Sequence, residues 1–228
     1  MLELAGGPVT LVWQNEVGGL TGLVDGANPR FIKWNRLNSG ESLHDEADRL
    51  RWVAGRHPAP EVLDYVRTAN AELLVTVALP GRSAVDPAWV TRPTEAIRAL
   101  ATGLLALHSL PIDDCPFVWD VESRVDAATA AGRDIPANLR IAPPIDRLVI
   151  CHGDACAPNT LLDADGRFLA NVDFARLGLA DRWADLAVAT MSLAWNYVDF
   201  DETVFWESYG IDPDLHRISY YRALYRAT

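Results

Sequence analysis

Leu148-Val149-Ile150-Cys151 runs directly into His152-Gly153-Asp154-Ala155-Cys156-Ala157-Pro158-Asn159, and two short apolar runs, Thr160-Leu161-Leu162 and Phe168 to Val172, then flank a turn at Asp163-Ala164-Asp165-Gly166. No other passage constrains the fold as tightly. A short buried strand has to deliver an eight-residue polar loop, and a hairpin has to bring Asp173 back beside Asn159. The loop and hairpin therefore predict a local scaffold of strand, loop and returning strand, with Asp, Asn and Asp at i, i+5 and i+19.

That set of oxygen donors suits phosphoryl transfer. Asp154 can accept the proton of a substrate hydroxyl, while Asn159 and Asp173 can hold the magnesium ion that neutralises nucleotide phosphates. An Asp-x4-Asn spacing alone also arises in Asx-turns. The His-Gly before the Asp, the Pro-Asn after it and the strand-borne second Asp separate this loop from that reading. His152 is expected to brace the loop by hydrogen bonding, because the loop already contains a base.

The same chemistry needs a cation for the phosphates, and Lys33 lies in Phe31-Ile32-Lys33-Trp34, within a predicted strand. Strands are expected at 9–13, 20–24, 30–34, 61–67 and 72–78, forming an antiparallel sheet. A helix over 41–54, with Leu43, Ala47, Leu50 and Val53 on one stripe, interrupts them and stops at Gly55. Glu46 falls on that apolar stripe, where an unpaired charge would be costly, so an ion pair with Lys33 is the natural resolution. Gly19 and Thr21, in the glycine-rich turn 18–22, are candidates for covering phosphates with backbone amides. Val77 and Leu79, near the junction of two lobes, are candidates for an adenine slot. No Gly-Lys-Ser/Thr follows the glycines, which excludes a P-loop.

After Leu79-Pro80-Gly81 the pattern becomes mainly helical, with helices expected at 94–109, 118–131, 182–196, 203–209 and 213–226. The expected division is a nucleotide-binding β lobe over 1–79 and a helical lobe over 80–228, carrying the catalytic loop and substrate site. At 228 residues, half of them hydrophobic and eight of them Trp, the chain can bury a core. Its net charge of −11 argues against nucleic acid or an anionic membrane surface as partner. Cys115, Cys151 and Cys156 form no metal-type spacing and suit a reduced, cytoplasmic protein. The first eight residues lack a basic leader, and no segment approaches the ~20 apolar residues of a membrane span.

Taken with Asp45 to Leu50, Leu107-His108-Ser109-Leu110, Cys115-Pro116-Phe117, Asp173 to Arg182 and Arg217 to Arg222, the loop resembles those of aminoglycoside phosphotransferases, most closely the 3′-phosphotransferase branch. The resemblance covers nearly the whole chain. It implies an α+β, protein-kinase-like fold, ATP (with GTP as an alternative) and Mg2+ as cofactors, and antibiotic resistance as the outcome. The acceptor is then a hydroxyl on a small molecule, and the protein a monomer or weak dimer. By position it assigns Lys33 and Glu46 to nucleotide phosphates, Asp154 to the base, Asn159 and Asp173 to magnesium, and Arg176 to the edge of the site. Asp185 then corresponds to a residue that braces the catalytic loop. Trp195 and Asn196 are the expected substrate contacts, at positions where that family more often carries acidic residues. Asp199, Asp201 and Glu202 lie shortly after and could compensate. Two other functions follow from the same residues: phosphorylation of a less cationic metabolite or antibiotic, or a nucleotide-binding regulatory module without turnover.

Overall fold

Pro80 and Gly81 mark the boundary between two units of the chain. The structure, a computed structural model, describes residues 7–228. The leader-free start read from the sequence lies, for residues 1–6, outside the described residues.

The first unit contains strands β1 (Thr10–Gln14), β2 (Leu20–Val24), β3 (Arg30–Arg36), β4 (Val62–Arg67) and β5 (Ala71–Val77), with helix α1 (Leu43–Val53) between β3 and β4. The sheet is antiparallel throughout, in the order β1-β2-β3-β5-β4. Ile32, Leu73, Val75 and Val24 form its apolar cluster. Ser42 caps α1 by accepting from the Asp45 amide at 3.1 Å, so the helix starts two residues later than its periodicity suggests. A buried carboxylate that the sequence did not single out secures this join. Glu72 on β5 accepts from the Leu43 amide at 2.7 Å and from the Tyr65 hydroxyl of β4 at 2.8 Å.

The second unit contains β6 (Arg82–Ser83), α2 (Pro87–Val90), α3 (Pro93–His108), α4 (Val121–Ala130), β7 (Leu148–Cys151), β8 (Thr160–Leu162), β9 (Phe168–Asn171), β10 (Gly178–Asp181), α5 (Trp183–Asn196), α6 (Thr203–Tyr209) and α7 (Leu215–Ala227). Ile97, Leu100 and Leu104 of α3 share one core with Val149 of β7, Leu186 and Leu193 of α5 and Phe205 of α6. Each fully buried Leu or Ile contributes roughly 1.5–3 kcal/mol by leaving water, which is how the helices hold the loops between them in place.

Several elements depart from expectation, the short helix α2 among them. Residues 118–120 are not helical, because Asp120 caps α4 by accepting from the Ser123 amide and Val118 instead bridges Leu179. Gly178–Asp181 is a strand, antiparallel to β7, which the sequence run did not reveal. Arg82–Ser83 adds a third strand to the β8–β9 hairpin. Among the described residues, no helix is long and apolar enough to cross a membrane.

Candidate active site

In the first unit, strand register explains how Lys33 is placed. Thr21 lies opposite Lys33 across β2–β3, and Leu74 lies opposite it on β5. The Lys33 ammonium reaches Oε1 of Glu46 at 2.7 Å, with the Glu46 side chain 4 % exposed. The glycine-rich segment runs from the turn after β1 into β2. Leu20 to Gly22 belong to β2, and the Gly19 amide donates to the Asn15 side chain. The Val77 amide is likewise engaged, donating to the Glu61 carbonyl at 2.9 Å, and Leu79 lies just beyond β5.

In the second unit, the loop after β7 is fixed from several directions. Asp185 of α5 is fully buried and accepts from the His152 amide at 2.6 Å and the Gly153 amide at 3.0 Å. His108 of α3 reaches the same carboxylate through Nε2 at 3.0 Å, and its Nδ1 lies 2.7 Å from the Tyr209 hydroxyl. Burial alone would raise the Asp185 pKa, but the hydrogen bond and charge of His108, with His152 behind them, hold it below its ordinary value. His108, Cys151 and Asp185 cluster closely enough to suggest a metal site. Their polar atoms are already engaged within the protein, with the Cys151 thiol donating to the Asp181 carbonyl, so the cluster acts as a brace.

His152 also braces, as expected. Its Nδ1 accepts from the Asp154 amide at 3.3 Å, which leaves Nε2 to donate to the Val172 carbonyl at 2.9 Å, and its ring lies on Phe174. Gly153 has φ 84°, and a Cβ there would run into the Arg176 carbonyl, so only glycine fits. The Val172 amide donates to the Asn159 carbonyl at 3.0 Å, bringing the end of the hairpin against the loop. Asp173 follows with φ 68°, the only non-glycine residue with positive φ among those described. Aspartate tolerates that conformation better than most residues, and such outliers concentrate at functional sites.

The Asn159 amide donates to the Asp154 carbonyl at 2.9 Å and to its carboxylate Oδ2 at 3.2 Å, which leaves the Asn159 side-chain oxygen as an acceptor. Three contacts here escaped the sequence reading. Tyr225 of α7 donates from its hydroxyl to Asp154 Oδ1 at 3.0 Å, the Cys156 thiol donates to the same oxygen at 3.2 Å, and Ser192 Oγ of α5 accepts from the Ala157 amide at 2.9 Å. The Tyr225 and Ser192 contacts join residues far apart in sequence, so no spacing rule could have pointed to them. Arg176 places its guanidinium 5.9 Å from the Trp119 ring. Trp195 is 55 % exposed, with its ring 6.2 Å from that of Tyr225. The Asn196 amide turns back onto its own helix, donating to the Ser192 carbonyl at 2.8 Å.

Of the acidic residues that could have replaced a cation-binding wall, two serve α6. Asp201 Oδ1 accepts from the Thr203 amide and hydroxyl at its start, and Glu202 accepts from the Trp206 indole at 3.0 Å.

A family model for phosphotransferase enzymes matches residues 23–221. The chain belongs to the phosphotransferase enzyme family. It is 33 % identical to a streptomycin 3″-kinase of Streptomyces griseus, over 84 % of this chain and 82 % of that one. It is 34 % identical to an aminoglycoside 3′-phosphotransferase of Streptomyces fradiae, over 82 % of this chain and 80 % of that one. Among solved structures, it aligns with the aminoglycoside phosphotransferase APH(3″)-Id of Streptomyces rimosus in complex with ADP and streptomycin. That alignment has a TM-score of 0.77 at 26 % identity and covers 100 % of this chain and 96 % of that one. The fold is therefore the kinase-like α+β fold of this family, with an antiparallel β-sheet unit followed by a mainly helical one. The chain is a phosphotransferase with an alcohol group as acceptor, in agreement with the chemistry implied by the loop.

Proposed function

We propose that this phosphotransferase transfers the γ-phosphoryl group of ATP to a hydroxyl of an aminoglycoside, and that it confers resistance by doing so. The observation that carries this reading is the Asp154 loop. Its carboxylate is bonded to Asn159 and pinned through neighbouring amides by buried Asp185, and the hairpin returns Asp173 against the same loop. The printed names of the relatives support aminoglycosides as the acceptor class.

In this reading Asp154 orients the acceptor hydroxyl and takes its proton as the oxygen attacks phosphorus in line with the departing ADP. Lys33, paired with Glu46, meets phosphate charge. Thr21, opposite Lys33 in the strand register, borders that charge. Asn159 and Asp173 offer the hard oxygen donors that suit Mg2+, and the orientation of the Asn159 amide fits this role, because its nitrogen is bonded to Asp154 and its oxygen remains available. Bound there, the ion would neutralise phosphate charge. Such an enzyme works where ATP is plentiful, in the cytoplasm.

One observation favours a less cationic acceptor. Tyr225 of α7 reaches Asp154 through its hydroxyl, its ring lies against that of exposed Trp195 of α5, and Asp201 and Glu202 are committed to α6. A wall of this kind binds a sugar by its apolar face, whereas a polycation is bound by carboxylates.

A coupled ADP-release assay over streptomycin, kanamycin-type aminoglycosides, other hydroxylated antibiotics and sugar metabolites tests both readings, with Asp154→Asn as the control. Turnover of an aminoglycoside that depends on Asp154 is the expected result. Activity confined to uncharged acceptors would select the second reading, and no turnover of any acceptor would overturn both.

A further inference from the structure

We propose that Arg124 and Tyr225 are positioning residues for the catalytic base: a buried cation lies behind the ring of a tyrosine whose hydroxyl fixes one oxygen of Asp154. The proposal rests on the reading of Asp154 as the base and adds two residues outside the loop and its hairpin.

Arg124 of α4 is 2 % exposed, and its Nε and Nη1 atoms are buried without a hydrogen-bond partner. A guanidinium stays charged at any physiological pH, and a buried charge with unmet donors is costly to keep, so its retention needs a reason. A tyrosine ring beside it supplies that reason. The guanidinium carbon lies 5.9 Å from the centre of the Tyr225 ring, within reach of a cation–π interaction. A cation on the ring draws electron density from the phenol and makes its O–H a stronger donor. That O–H points at Asp154 Oδ1, 3.0 Å away. Burial first, and then the charge of Asp154, push the Tyr225 pKa up, so the hydroxyl keeps its proton and can only donate to the carboxylate.

The consequence for the reaction is which oxygen receives the proton. Oδ1 takes two donors, the Tyr225 hydroxyl and the Cys156 thiol, and a carboxylate oxygen has about two acceptor directions. Oδ2 takes one, the Asn159 amide. The acceptor hydroxyl is thereby directed to Oδ2: its O–H bond breaks as the new O–P bond forms and the bond from the γ-phosphorus to ADP breaks, ADP departs, and the proton passes to that oxygen. Helix α7 can impose this because it is anchored on α5, where Arg222 donates to the Thr190 hydroxyl at 2.9 Å and to the Ala187 carbonyl at 3.2 Å.

Tyr225→Phe removes the hydroxyl alone. The expected result is a fall in kcat of about tenfold, the worth of one hydrogen bond to a charged group, with KM for ATP and for the acceptor changed by less than about twofold. Arg124→Met should lower kcat in the wild-type background and have no further effect in Tyr225→Phe, because its action passes through the ring. A Tyr225→Phe enzyme with wild-type kcat, a loss confined to acceptor KM, or additive effects of the two changes would each overturn the proposal. Should Arg124→Met not fold, Tyr225→Phe decides alone. Should the wild-type protein phosphorylate no acceptor, the failure belongs to the functional reading, and the hydrogen bond is read by infrared difference spectroscopy. The Asp154 carboxylate bands, identified by their loss in Asp154→Asn, then shift in Tyr225→Phe, and unshifted bands would overturn the proposal.

Discussion

The ion pair of the first unit and the carboxylate loop of the second each hold a charged group in a fixed position, by opposite means. Lys33 meets Glu46 from an adjacent helix over 2.7 Å, and both residues lie within an ordinary sheet-and-helix frame. Asp154 is held by Asn159, Cys156 and Tyr225, and the loop under it by His152, Asp185 and Ser192, contributed by α5, α7 and the loop itself. The first arrangement needs a register and a helical period. The second needs most of the helical core to be in place. Damage should therefore stay local in the first unit, whereas in the second it divides between turnover, at Asp154, and stability, at the residues that brace its loop.

The strongest test of that contrast is Asp154→Asn, which should lower kcat by about 10²–10⁴-fold while leaving the melting temperature and ATP affinity close to those of the wild type. A variant that retained activity within a few-fold would remove Asp154 from its role. Asp185→Asn touches no substrate in this reading, yet it should cost about 2 kcal/mol or more of stability in urea unfolding, because it replaces a buried carboxylate that accepts from two loop amides and lies against His108. Its pH signature follows from the direction of the shift. The folded protein holds Asp185 below its ordinary value despite burial, so the stabilisation is complete above the usual carboxylate range of about 4 and is lost as pH falls through the lower folded value. Melting temperatures followed into that acid range should fall less steeply in Asp185→Asn than in the wild type.

Lys33→Met should raise KM for ATP by about tenfold or more with little change in acceptor KM, the local loss expected of a single charge-assisted contact. An equal loss of affinity for both substrates would contradict the contrast between the two units. The smallest effect should come from Trp195→Ala, a rise of about tenfold or less in acceptor KM at unchanged kcat, since an exposed ring supplies stacking alone.

How far the sequence could be read follows the same division. Lys33 and Glu46 were legible because a strand and a helical stripe each have a period, and a carboxylate on an apolar stripe advertises its need for a partner. The loop was legible because its residues are contiguous and its hairpin obeys turn chemistry. Tyr225, Ser192 and Arg124 were not, because their relation to Asp154 exists only after α4, α5 and α7 have packed. Gly178–Asp181 was missed because a short strand buried against β7 shows no alternation, and the true start of α4 depended on whether Asp120 would cap it or continue it.

The left-handed backbone at Asp173 makes this position a place where selection on abundance and selection on activity pull apart. Glycine would relieve a conformation that costs a non-glycine residue on the order of 1 kcal/mol, so Asp173→Gly should melt higher than the wild type. It would do so while deleting one of the two proposed metal ligands. A screen that scored only soluble yield would favour that change, and a screen that scored growth on the antibiotic would discard it.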